Sequence, residues 1–231
     1  MTTPRRALLD LSHPIADGMV TYPGIAAPVL RTVVDRHESA ARLAAGVSFE
    51  ILAVDMVANT GTYLDAPRHY DADGADIASL PLERLVDVPV TLVDVRGDGP
   101  VDAERLASVA WARGNAVLLW TGWSRHWGTP AYAAGGPFVA ADAVEVLLAA
   151  EPALVGIDAL NIDRPTDPSR PAHHRLLHAG VPIVEHLTAL DELHALTGGE
   201  PGRARFTALP APFLQLGTFP VRAVASVAVD R

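Results

Sequence analysis

Short runs of apolar, mostly β-branched residues recur along the chain, each cut off by glycine, proline or a charge. They are Leu30–Val34, Phe49–Val57, Val90–Val95, Ala116–Trp120, Ala153–Ile157, Pro182–Val184 and Val221–Val229. Their length, punctuation and β-branching suit buried strands. Between the later runs the spacing turns helical. Leu106, Val109 and Ala110 share a face between Asp102, a fitting cap, and Gly114, a fitting stop; Val144, Leu147 and Leu148 repeat the spacing after Asp142. A strand-rich first half followed by alternating strands and helices predicts an α/β or α+β domain with a mixed sheet.

The 231 residues fit one generous domain, two small ones being the alternative, and no repeat, low-complexity tract or linker divides residues 1–231. With 49% hydrophobic and 19% charged residues, the chain has ample material for a core. A net charge of -9 argues against binding a phosphate backbone, so no nucleic-acid partner is expected. There are no cysteines, which removes disulfides and thiolate chemistry and leaves any metal to His, Asp, Glu or neutral oxygen ligands. The start, MTTPRRALLDLSHP, lacks the apolar stretch of a signal peptide. No run approaches the ~20 apolar residues that cross a bilayer, so a cytoplasmic protein with no membrane partner is expected.

Two segments concentrate groups able to do chemistry. From Asn59 to Gly74 the chain reads NTGTYLDAPRHYDADG, with Asn59, Thr62, Tyr63, Asp65 and His69 held between a permissive Gly61 and a rigid Pro67. Asp65 and His69 offer oxygen and imidazole ligands suited to Zn²⁺, Mn²⁺ or Fe²⁺; a plain turn with a capping Asp and a surface His shows the same spacing. The second segment, HHRLLHAGVPIVEH, runs from His173 to His186 and sets Glu185 inside an apolar run. A carboxylate there calls for a metal or a proton as partner if buried, or lies on an edge strand facing water. His178, His186 and His194 read as structural or surface residues. A third stretch, TGWSRHWGTPAYAAGGPF, holds Trp123 and Trp127 among glycines and prolines. It reads as a lid, a subunit contact or a satellite core under a long loop.

These segments carry a resemblance to the cyclase family, the group containing bacterial kynurenine formamidase and isatin hydrolase. The family motif is His-x-Gly-Thr-His-x-Asp-x-Pro-x-His; residues 59–69 match it at Gly61, Thr62, Asp65, Pro67 and His69, with Asn59 and Tyr63 replacing two histidines. His173, Leu176, Leu177, Gly180 and Glu185 match the downstream pattern, and DLSHPI, TYPG, TGW at Thr121, GIDALNID at Gly156 and GTFPVRA at Gly217 extend the agreement. The resemblance implies a swivelling β/β/α domain, a homodimer or homotetramer, and a small carbonyl substrate such as an amide, aryl formamide, lactone or cyclic imide. It implies substrate contacts from Thr62 and, at the pocket entrance, from Tyr22, Trp123 or Trp127.

Losing two imidazoles from the motif leaves three readings. One divalent ion, Zn²⁺ or Mn²⁺, is held by Asp65, His69, His173 and Glu185 in a hydrolase. Alternatively no metal binds, Tyr63 and Asn59 donate hydrogen bonds to a carbonyl or enolate, and Asp65, His69 or Glu185 moves protons in a cyclase, dehydratase or isomerase. In the third, the pocket only binds a small molecule or serves assembly.

Overall fold

The computed structural model describes residues 6–228. Ten strands and six α-helices follow one another: β1 (Arg6–Asp10), β2 (Val29–Val34), α1 (Arg36–Ala40), β3 (Ile51–Asp55), β4 (Tyr63–Asp65), β5 (Val88–Asp94), α2 (Ala103–Leu106), β6 (Ala116–Trp120), α3 (Pro130–Ala133), α4 (Ala141–Ala149), β7 (Leu154–Ile157), α5 (Pro171–His178), β8 (Ile183–Glu185), α6 (Leu190–Thr197), β9 (Ala204–Pro210) and β10 (Thr218–Ala228). Short 3₁₀ turns fill several connections.

Eight strands form one mixed sheet in the order β1-β10-β4-β8-β7-β6-β5-β9, and β9 also pairs with β10, so the ladder closes into a ring. The four strands β5, β6, β7 and β8 run parallel, joined by helical crossovers, while β4, β9 and β10 pair antiparallel. This is the mixed α/β arrangement expected from the alternating second half of the sequence. Period-two alternation then divides the core. Ala116, Leu118 and Trp120 point inward with Leu64, Val184, Phe206 and Ala225, whereas Val117 and Leu119 point outward against Ala143, Leu147, Ala172 and Leu176 of the helical layer.

Several expectations are corrected. The Leu30–Val34 and Phe49–Val57 runs do form strands, but β2 and β3 pair only with each other as a separate two-stranded sheet. Val29, Leu30, Val33, Ile51, Leu52 and Val54 stay exposed on this arm, because nothing among the described residues covers it. The helix expected between Asp102 and Gly114 stops after Leu106. Asp102 does cap it, accepting the Arg105 N–H at 3.1 Å. Beyond it, Val109 and Trp111 both pack on the outer core, and residues two apart on one side need extended chain. The second helix starts before Asp142, whose carboxylate accepts N–H groups at the beginnings of both α2 and α4. The last run begins earlier, at Thr218, and its final residue Val229 lies outside the described residues. No helix among the described residues is long and apolar enough to cross a membrane.

Candidate active site

Tyr63 and Asp65 stand two apart on β4, so their side chains leave the sheet on the same face. The register sets Glu185 of β8 directly opposite Tyr63, and Thr218 of β10 opposite Asp65. Leu64 and Val184, the pair between them, turn inward to the core. The acids therefore face the helical layer, where α5 lays His173 over them. Glu185 is fully buried on an interior strand, which settles the choice between a buried carboxylate and a solvent-facing edge residue. Pro67 opens a 3₁₀ turn that brings His69 back beside Asp65.

Ligating atoms of Asp65, His173 and Glu185 lie within 4.8 Å of one another. His173 Nε2 is 3.7 Å from Asp65 Oδ2 and 3.6 Å from Glu185 Oε1. His69 Nε2 approaches the other oxygen of Asp65, Oδ1, at 3.8 Å, and its side chain keeps 32% exposure at the rim. Thus three of the four expected ligands converge tightly, with His69 at the mouth.

Each member is braced. Asp163 accepts the backbone N–H groups of Ala172 and His173 and pairs with His173 Nδ1 at 2.7 Å, which leaves Nε2 facing the acids. Glu185 Oε1 accepts the Ile162 N–H and its Oε2 accepts the Tyr63 hydroxyl, both at 2.6 Å. Thr218 donates to Asp65 Oδ1 at 3.0 Å, but Asp65 Oδ2 is buried with no hydrogen-bond partner. A buried carboxylate oxygen without a partner costs about 1–3 kcal/mol or more. With two carboxylates and one imidazole around it, that orphan atom fits a divalent cation of the Zn²⁺ or Mn²⁺ type.

The electrostatics agree. Burial pushes the Glu185 carboxyl up to about 7, against the pull of His173 and its hydrogen bonds. Burial alone would lower His173, but Glu185, Asp163 and Asp65 outweigh it and raise the imidazole to about 10. In the metal-free protein, His173 is therefore the cation that these acids share. His69 is lowered by burial, with Asp65 opposing. Burial and the two nearby acids raise Tyr63 well above 10.

The remaining expected site residues supply no ligating atom to this triad. The half-buried Asn59 side chain lies beside the Tyr63 hydroxyl. Thr62 is buried, donating to the His186 carbonyl at 2.6 Å and accepting the His13 N–H at 3.0 Å, so its hydroxyl braces the site from within rather than facing a substrate. Tyr22 is half-buried next to Thr21, which accepts the Gly61 N–H at 2.8 Å. Trp123 donates to the Tyr132 carbonyl and packs on the outer core, whereas Trp127 stacks flat on His13 at 3.9 Å.

His186, read from sequence as a bland residue, is fully buried; its Nδ1 lies 2.9 Å from the Tyr132 hydroxyl and its ring 5.1 Å from that of Tyr63. Asp163, His13 and Tyr132 were also not singled out. An acid inside the apolar LVGIDALNID stretch carries the same signal as Glu185, a charge that burial would penalise without a partner.

The Cyclase family model, described as "Putative cyclase", matches residues 9–164 of the chain. A solved structure described as a potential metal-dependent hydrolase with cyclase activity is 28% identical, with a TM-score of 0.78, over 98% of this chain and 100% of that one. A "predicted metal-dependent hydrolase" from Bacillus stearothermophilus is 27% identical over 96% and 98% of the two chains, with a TM-score of 0.74. Isatin hydrolase A from Labrenzia aggregata shares the fold, with a TM-score of 0.81 at 23% identity over 97% and 94%. With the family model spanning well over half of its residues, this chain belongs to the Cyclase family.

Proposed function

We propose that the protein is a hydrolase of C–N or ester bonds in small carbonyl compounds such as amides, aryl formamides, lactones or cyclic imides, using one divalent ion. The observation that carries this reading is the buried convergence of Asp65, His173 and Glu185 around an unpartnered carboxylate oxygen. These three residues hold the ion, with His69 at the rim. A bound Zn²⁺ or Mn²⁺ supplies a Lewis acid for the substrate carbonyl and makes water acidic enough to attack near neutral pH.

The chain's own residues do the rest. Asp163 fixes the ring of His173 so that Nε2 is the ligating atom. Tyr63 and the Ile162 N–H orient the Glu185 carboxylate. His69, neutral at pH 7 and open to the mouth, accepts a proton from the attacking water at Nε2 and returns it to the leaving nitrogen or oxygen. Asp65 Oδ1, 3.8 Å away, steadies the transient imidazolium.

The second reading is a metal-independent cyclase, dehydratase or isomerase. It is favoured by the position of His173 Nε2 within 3.7 Å of both acids, where an imidazolium satisfies their charge. Against it, the Tyr63 proton is already given to Glu185. Elemental analysis after chelator-free purification, with a hydrolysis panel of the four compound classes, separates the two. Metal below about a tenth of an equivalent and no metal-dependent rise in Tm would overturn the hydrolase reading. We further propose a cytoplasmic homo-oligomer, dimer or tetramer, in which the apolar β2–β3 arm is covered by another copy.

A further inference from the structure

Beside Tyr63 lies a second group of buried polar atoms that the hydrolytic machinery leaves unused. His13 Nε2 and His186 Nε2 are both buried without any hydrogen-bond partner. Thr62 ties them together, accepting the His13 N–H and donating to the His186 carbonyl. Trp127 closes over the pair, stacked on His13 at 3.9 Å and edge-on to His186 at 5.6 Å.

Two features show that this arrangement is held against a cost. Each buried polar atom left unpaired is unfavourable. His186 also adopts a left-handed backbone, φ 58°, immediately after β8, a conformation that crowds the Cβ of any residue but glycine. Continuing the strand would send the side chain to the other face. Strain of this kind persists where the surroundings enforce it and gathers at functional sites. The Tyr132 hydroxyl, 2.9 Å from His186 Nδ1, fixes the ring's orientation. Tyr132 also lines an apolar pocket of about 510 Å³, together with Met19, Val20, Thr21 and Pro130.

We infer that His13 and His186 form a polar subsite that receives a hydroxyl group of the substrate through their two Nε2 atoms. Each neutral imidazole presents a proton or a lone pair at Nε2, and a hydroxyl is the small group that donates and accepts at once. Resting on the hydrolase reading above, this narrows the substrate to a hydroxylated amide or lactone. Tyr63 links the two places, its hydroxyl bonded to Glu185 and its ring centre 5.1 Å from that of His186.

The test is ¹⁵N-histidine NMR and calorimetry on the Zn²⁺-loaded full chain, with γ-butyrolactone and 3-hydroxy-γ-butyrolactone as probes. The hydroxylactone is expected to shift the Nε2 resonances of both His13 and His186 and to bind about five- to tenfold more tightly, as one added hydrogen bond allows. His13→Leu should remove that preference, and His186→Gln, which keeps a hydrogen-bonding amide, should retain part of it. Should either variant fail to fold, the wild-type shifts and affinity ratio still decide. Shifts at His173 without shifts at His13 and His186, or equal affinity for the two lactones, would overturn the subsite while leaving the hydrolase reading intact. If neither probe perturbs His173 or the pair at saturating concentration, the subsite is overturned. The hydrolase reading is then judged separately, by metal content and the hydrolysis panel.

Discussion

The Tyr63 hydroxyl donates to Glu185 Oε2 at 2.6 Å across the β4–β8 ladder, the two residues standing directly opposite one another in register. This bond favours the ionised carboxylate. Tyr63→Phe leaves a buried carboxylate oxygen without its donor, which raises the Glu185 pKa above about 7. The acid limb of metal affinity should therefore move to higher pH, with stability falling by about 1–3 kcal/mol. A Zn²⁺ or Mn²⁺ titration across pH on both proteins checks this; an unmoved limb would argue that Glu185 does not hold the ion.

Asp163 acts on the site only through His173. Asp163→Asn replaces the acceptor that fixes Nδ1–H, and the loss of such an outer partner weakens metal binding by about 10–100-fold. Zn²⁺ or Mn²⁺ titration followed by the rise in Tm measures the change directly.

The metal-free protein should be most stable near pH 6–7. Burial lowers His13 to about 4 and His186 to about 3. Between those values and 6.5 the unfolded chain binds more protons, so stability is lost as pH falls. His173 is raised to about 10, so its contribution is complete below 6.5 and lost as pH rises toward 10. Glu185, raised to about 7, lowers stability between 4.5 and 7 and offsets part of the gain from the two histidines. Melting temperatures from pH 4 to 10 in chelator should trace the maximum, and His13→Gln should flatten its acid side.

A Cβ at Gly217 would stand 2.6 Å from the His69 backbone nitrogen and 2.7 Å from its Cα. Gly217→Ala must push the motif turn away from β10. Overpacking of this kind costs about 1–3 kcal/mol, at roughly 2–4 °C of Tm per kcal/mol in a chain of this size. Differential scanning calorimetry reads the loss, and kcat/KM should fall with it because His69 is displaced.

Leu30 and Val54 face each other across the β2–β3 arm and are both exposed. Replacing them with an opposite-charge pair, Leu30→Lys with Val54→Glu, preserves cross-strand attraction while making the arm polar. If another copy covers this surface, sedimentation at micromolar concentration should show an oligomer for the wild type and a monomer for the double variant.

The sequence shows the second half of the fold well, because buried parallel strands write themselves as unbroken apolar runs. Ala116–Trp120 coincides with β6 residue for residue. It shows β9 poorly: Ala-Arg-Phe-Thr-Ala-Leu-Pro alternates in burial, but alanine and threonine give the pattern little amplitude. At the site, residue chemistry alone pointed to Glu185, an acid inside an apolar run; Asp65 and His173 joined it only through the motif resemblance, because a capping turn and a helical histidine show the same spacing. The His186 subsite was not legible, since its position depends on a left-handed backbone that no hydrophobic period encodes. The shortness of α2 was hidden for a related reason. Tertiary packing of Val109 and Trp111 overrides a helical spacing that is sound in isolation.

The antiparallel ladder between β1 and β10 sets Arg6 beside Ala228, so the first and last described strands finish as neighbours at one corner of the sheet. A short linker could splice those ends covalently. Cutting the chain open at the exposed turn between α1 and β3 would then give a circular permutant whose new termini lie on the arm.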